Sequence, residues 1–155
     1  MKRGYCLIGI IGMMLLLWSC STKKNTKASR FYHAFTTRYN IYFNGKQAFD
    51  EALRSQQEGY KENYSEQIFM YPISAQPKDK AETGGPFDRT IEKSNKAIKL
   101  HSIQAKPAKK PGWKNNPKLV REQAKEEYNP FLKNSWLLMG QAQFYNADFL
   151  QAAAT

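Results

Sequence analysis

The strongest constraint on this chain is the interval at which its large apolar residues return. In RFYHAFTTRYNIYF (residues 30–43), Phe31, Phe35, Tyr39 and Tyr42 recur three and four residues apart, with Tyr32 and Phe43 beside them. That spacing lays a broad aromatic stripe along one helical face. Core packing is its expected use, ahead of peptide or glycan binding. Asn44-Gly45 reads as a helix end, and KQAFDEALRSQQEGY (46–60) then resumes with Ala48, Phe49, Ala52 and Leu53 in helical register. Two helices joined by a tight turn are expected there. Asn63 to Met70 reads as a further short helix. Asp88 to Ile103 is amphipathic, with Ile91, Ser94 or Asn95, Ala97 and Ile98 on one face and Asp88 as the N-cap. Lys118 to Tyr128 reads as helical but mostly polar. After Asn129-Pro130, an apolar helix from Phe131 to Tyr145 carries Trp136, Leu137, Met139 and Phe144. No stretch alternates apolar and polar residues as a strand would. The expected fold class is all-α, built from helical pairs.

Two connectors separate these helices. Tyr71 to Phe87 holds three prolines and Gly84-Gly85, the composition of a loop. Lys106 to Lys118 (KPAKKPGWKNNPK) is rich in proline and lysine. Its Lys106, Lys109, Lys110, Lys114 and Lys118, beside Trp113, read as a solvated connector in preference to a grip on an anionic polymer.

The amino terminus has a different character. Lys2 and Arg3 precede CLIGIIGMMLLLW (6–18), which carries no charge. This run has the size of a signal-peptide core and falls short of the roughly 20 residues that span a bilayer. Leu17-Trp18-Ser19-Cys20 resembles a bacterial lipobox. The resemblance implies that residues 1–19 are a signal, that cleavage precedes Cys20, and that diacylglycerol alkylates its thiol. Residues 20–29 (Cys20, then STKKNTKAS) then form a flexible tether, and 30–155 the helical region. The one other cysteine, Cys6, lies in the removed piece, so no disulfide is expected.

Charge narrows the partners. The formal net charge is +11, and losing Lys2 and Arg3 leaves +9. Such a balance often marks nucleic-acid binding, but an exported chain meets lipid head groups, cell-wall polymer or acidic proteins instead. No nucleic-acid partner is expected.

The segment from Trp136 to Ala152 follows the tetratricopeptide pattern. Trp136 and Met139 would bury one face of a first helix, and Gly140 and Ala142 are small where a second helix crosses. Phe149 opens that second helix after Asp148, and Ala152 is small at the crossing. Phe43 to Leu53 resembles a degenerate second copy, and Ala97 belongs to a third. The intervals between these alanines exceed the usual repeat of about 34 residues, so the repeats carry insertions. Taken together, RFYHAFTTRYNIYFNGKQAFDEAL after Cys20, IEKSNKAIKLHSI, and EEYNPFLKNSWLLMGQAQFYNADFLQA resemble the amino-terminal region of the large tetratricopeptide lipoproteins of Bacteroidetes, of the PorW/SprE type in the type IX secretion and gliding machinery. The resemblance implies an α-solenoid held in the outer membrane by Cys20 and facing the periplasm. It also implies a scaffold that joins protein partners of an envelope secretion complex. The absence of acids beside Cys20 agrees with the inward orientation in that group. A glycan- or nutrient-binding outer-membrane lipoprotein is the alternative. The ending QAAAT carries no helix stop signal, so the array reads as cut short at its carboxy terminus.

Nothing in the sequence points to catalysis. His33 and His101 are the only histidines, and His33 reads as a packing or polar-edge residue. No His-x-x-x-His, Cys-x-x-Cys, nucleophile elbow or phosphate loop is present. Neither enzyme activity nor a metal, cofactor or small-molecule substrate is expected.

Overall fold

The computed structural model describes residues 24–68, 70 and 85–155. Residues 1–23, with Cys20 and the expected signal, position 69 and positions 71–84 of the first connector lie outside them. Within the described residues the chain is all-α. Its helices are α1 (Lys27–Thr36), a π-helical segment (Thr37–Tyr42), α2 (Phe43–Gly59), α3 (Asp88–His101), α4 (Pro117–Ala124), α5 (Leu132–Tyr145) and α6 (Phe149–Ala154), with one 3₁₀ turn at Trp113–Asn115.

The turn expected at Asn44-Gly45 does not form. Thr36, Thr37, Tyr42 and Phe43 all keep right-handed helical backbone, so α1, the π segment and α2 make one uninterrupted rod. Gly45 is there for close approach. A Cβ on it would stand 3.3 Å from Cβ of Lys93, and its carbonyl accepts a 3.3 Å hydrogen bond from Thr90 Oγ1 on α3. The π segment has a geometric reason as well. The buried residues of the rod begin His33, Thr37, Ile41, Gly45, each four apart. In an α-helix a four-residue step overshoots a full turn by roughly 40°, so three such steps would rotate the row off the core. The wider π turn absorbs this drift and keeps the row facing α3.

The aromatic stripe therefore lies on the other side of the rod. Phe31 is 72% exposed, Phe35 53%, Tyr39 58% and Phe43 62%, while Tyr42 alone is half-buried. Core packing, the use expected of this stripe, is overturned. Small and polar residues (Thr37, Gly45, Ala48, Ala52) made the better seam, because they let α3 come close.

Helix α3 is central, packed on α5 on one side and on α2 and the π segment on the other. Thr90, Ser94, Ala97 and His101 are its buried positions. The core proper is Phe49, Ala52, Phe87, Leu138 and Ala142. Its centre is an aromatic triad with ring separations of 5.2 Å for Phe49–Phe87, 5.6 Å for Phe49–Tyr145 and 5.5 Å for Phe87–Tyr145. Phe87, expected in a loop, is fully buried. Asn146 fixes it there: its Oδ1 accepts from the Phe87 amide at 3.3 Å and its Nδ2 donates to Asp88 at 2.8 Å. Asp88 is thus the first residue of α3 and not its N-cap.

Other boundaries also shift. Asn63 to Met70 contains a turn at Tyr64-Ser65 and no helix among its described residues. Helix α3 ends at His101, short of Ile103, and α4 stops at Ala124, short of Tyr128. Phe43 to Leu53, expected to copy a hairpin repeat, lies inside the long rod.

One buried polar residue ties the elements together. Asn129 Nδ2 donates to Thr37 Oγ1 (3.1 Å) and to the His101 carbonyl (2.9 Å), and its Oδ1 accepts from the Phe131 amide (3.1 Å). Its own amide donates to Glu127 Oε1 at 2.6 Å, which also accepts from Ile103 and Tyr128 amides at 2.9 Å each. Two other buried hydroxyls, on Ser94 and Ser135, have no hydrogen-bond partner among the described residues. These sites should respond in opposite directions. Asn129→Leu strands the groups that it served and is expected to cost about 2–4 kcal/mol. Ser135→Ala removes an unsatisfied hydroxyl and is expected to gain up to about 1 kcal/mol. Urea titration of both variants checks the pair.

Candidate interaction surfaces

Three surfaces carry chemistry. The first is the aromatic face of α1 and the π segment. Phe31 and Phe35 stack with centroids 5.9 Å apart, and Phe35 meets Tyr39 at 4.9 Å. Arg38 extends the row as a cation, its guanidinium 5.1 Å from the Tyr39 ring centre and 5.8 Å from that of Phe131. The rings form a ladder of roughly 18 Å from Phe31 to Phe43 at helical rise.

The second is the outer edge of the α5–α6 hairpin. Leu137 and Phe144 are exposed, two turns apart on α5, and Phe144 meets Phe149 of α6 edge-on at 5.4 Å. Leu150 is 87% exposed beside them. Asp148 caps α6 by accepting from the Gln151 amide (3.2 Å), and the reversal between the helices uses Ala147 at φ 62°. Of the sequence-predicted packing residues, Met139 and Ala142 are buried against the core, whereas Trp136 is 41% exposed and Phe149 is also exposed. Gly140 faces α6, where an added Cβ would stand 3.8 Å from the Ala152 carbonyl; Ala152 is half-buried.

The third is a groove of about 370 Å³ between the rod and α3, lined by Asn40, Asn44, Lys93, Lys96 and the two histidines among others. His33 and His101, 68 residues apart, meet here Nδ1 to Nδ1 at 2.9 Å, with rings crossed at 5.0 Å. One nitrogen must donate and the other accept, so the contact does not survive double protonation. Burial first, and the neighbouring His33 second, hold the His101 imidazole below the ordinary histidine range. No local signal announces such a pair. Four-residue spacing along the rod marks His33 with Thr37 and Ile41, but the partner comes from another helix.

Elsewhere the rod is clamped by Arg30. Its guanidinium pairs with Glu122 of α4 and lies 4.7 Å from the centre of the Tyr128 ring, whose hydroxyl donates to the Glu122 carbonyl at 2.7 Å. Lys125, and then Arg30, pull the Glu122 carboxyl below its usual range. The lysine connector is exposed at every lysine and folds back on α4. Lys106 Nζ donates to the Gln123 carbonyl at 2.7 Å, and Gln123 Nε2 to that of Pro107 at 2.9 Å.

Among the described residues no cluster of three or more metal-ligating side chains forms, and no helix is long and apolar enough to cross a membrane. A scan against protein-family models finds no match, and a comparison with curated proteins finds none either.

The histidine pair gives stability a pH dependence whose sign follows from the depressed value of His101. The unfolded chain takes up a proton below about pH 6.5, where the folded chain still resists it, so this contribution is complete above that pH and lost on acidification. Denaturant titrations between pH 8 and 5.5 should show a fall in stability for the wild type. His101→Gln should flatten that segment of the curve.

Proposed function

We propose that this chain is a non-catalytic, lipid-anchored helical scaffold of the bacterial envelope, held at the outer membrane through Cys20 and facing the periplasm. Its task on this reading is to join protein partners, those of a secretion or gliding complex being favoured by the PorW/SprE resemblance. The observation that supports it is the α5–α6 hairpin. One side of the hairpin is built into the core through Leu138, Met139 and Ala142, while the other shows Leu137, Phe144, Phe149 and Leu150 to solvent. Helical repeats expose such an edge where the next hairpin stacks. The expected occupant is a helical hairpin of tetratricopeptide type, so α5 and α6 are the repeat unit of this reading.

The exposed ladder of Phe31, Phe35, Tyr39 and Phe43 gives some weight to the glycan-binding alternative, since sugar platforms are exposed aromatics. The ladder is mostly phenylalanine on a convex rod, without tryptophan, which favours the scaffold. A glycan array returning a specific hit would reverse that order.

Two experiments test the scaffold. Cys20→Ala should abolish acyl labelling and leave the signal uncleaved; persistent palmitate labelling removes the anchor. A photo-crosslinker at Leu137 should give a specific adduct with a helical envelope protein, and Leu137→Asp with Phe144→Asp should abolish both the adduct and complementation of a deletion strain. These exposed substitutions should leave the melting temperature within a few degrees of wild type. Full complementation by the folded double variant overturns the proposal.

A further inference from the structure

The geometry points to a second contact with the membrane, made by the folded domain itself. The aromatic ladder of α1 and the π segment lies on an anionic lipid surface. Three observations converge on this occupant. The ladder is apolar, continuous and open to solvent among the described residues, with ring-to-ring contacts from Phe31 through Tyr39 and with Phe43 one further step along the same row.

Charge supplies the second. The first acid in the chain is Asp50, whereas Lys23, Lys24, Lys27, Arg30, Arg38 and Lys46 all precede it within the mature sequence. Arg30 is committed to Glu122 and Lys46 to Asp50. Lys24, Lys27 and Arg38 are exposed, Lys27 stands one step ahead of Phe31 in the same four-residue row, and Arg38 stacks on Tyr39. An acid-free stretch with aromatics on one face and cations along it has the pattern of an interfacial helix, which seats its apolar side chains about 5–10 Å into the head-group region. Cations beside such a face draw it toward anionic lipid.

Reach supplies the third. Cys20 stands seven residues before α1, so even a fully extended tether spans no more than about 25 Å. If Cys20 is acylated, this helix is the part of the folded domain held closest to the bilayer. The docking face stands without the acyl chain, however, because its charge and its rings are its own.

This arrangement assigns the two exposed apolar surfaces to different neighbours. The rod meets lipid, and the α5–α6 edge is left free for protein.

Oxidative footprinting tests the inference on the full chain, because trypsin cuts after Arg30, Arg38 and Lys46 and isolates the ladder in FYHAFTTR (31–38) and YNIYFNGK (39–46). The protein is compared in vesicles of phosphatidylcholine alone and in vesicles containing phosphatidylglycerol. On the anionic vesicles, oxidation of both peptides should slow at least about threefold, while peptides from α5 stay unchanged. High salt, or Lys27→Gln with Arg38→Gln, should remove the protection. Phe31→Ser with Phe35→Ser should remove it from 39–46 without altering the circular dichroism spectrum. Equal oxidation on both vesicle types overturns the inference, whether the ladder is protected or not. So does protection that rises with protein concentration in the absence of lipid, which would make the occupant a second copy. Acyl labelling of Cys20 is read separately, so loss of the anchor and loss of the docking face give different results.

Discussion

Asn129 joins elements that the chain keeps far apart. Its carboxamide reaches the π segment through Thr37, the end of α3 through the His101 carbonyl and the start of α5 through the Phe131 amide. Each of those groups is buried or part-buried, so each needs a partner where water does not reach. The side chain has the geometry for it, with two N–H groups on one side and a carbonyl on the other. Glu127 extends the same clamp by accepting two backbone amides of the loop before α5, those of Tyr128 and Asn129, and the Ile103 amide just after α3. The junction fixes where the chain enters α5 against the rod and the end of α3.

The junction also accounts for the rod. Thr37 is fully buried and is the first residue of the π segment. From there the row of His33, Thr37, Ile41 and Gly45 stays against α3 only because the turn widens. The same widening keeps Phe31, Phe35, Tyr39 and Phe43 aligned on the outside. A single departure from α-helical geometry thus builds both the inner seam and the outer ladder. π turns recur at functional sites in helices, and here the turn lines the groove that holds the histidine pair.

Electrostatics divides the molecule. The rod is basic along its first half, where Arg30 joins it to α4, set between Glu122 and the face of Tyr128. On α5 and α6, Leu137, Phe144, Phe149 and Leu150 expose apolar side chains.

Read alone, the sequence determined the helical character, the apolar helix after Asn129-Pro130, the reversal at Asp148 and the three- and four-residue aromatic spacing, because these depend on local periodicity and on capping and breaking residues. Spacing identifies a face without saying whether that face is buried. Only the tertiary structure decided that the small-residue side of the rod packs and the aromatic side does not, since that choice depends on how closely α3 can approach Gly45, Ala48 and Ala52. Asn44-Gly45 misled for the same reason: a glycine that ends a helix and a glycine that admits a neighbour look identical in one dimension. Phe87 at the centre of the core, the meeting of His33 with His101 and the reach of Asn129 were illegible, because each joins residues tens of positions apart whose partners are chosen by packing and not by the chain around them.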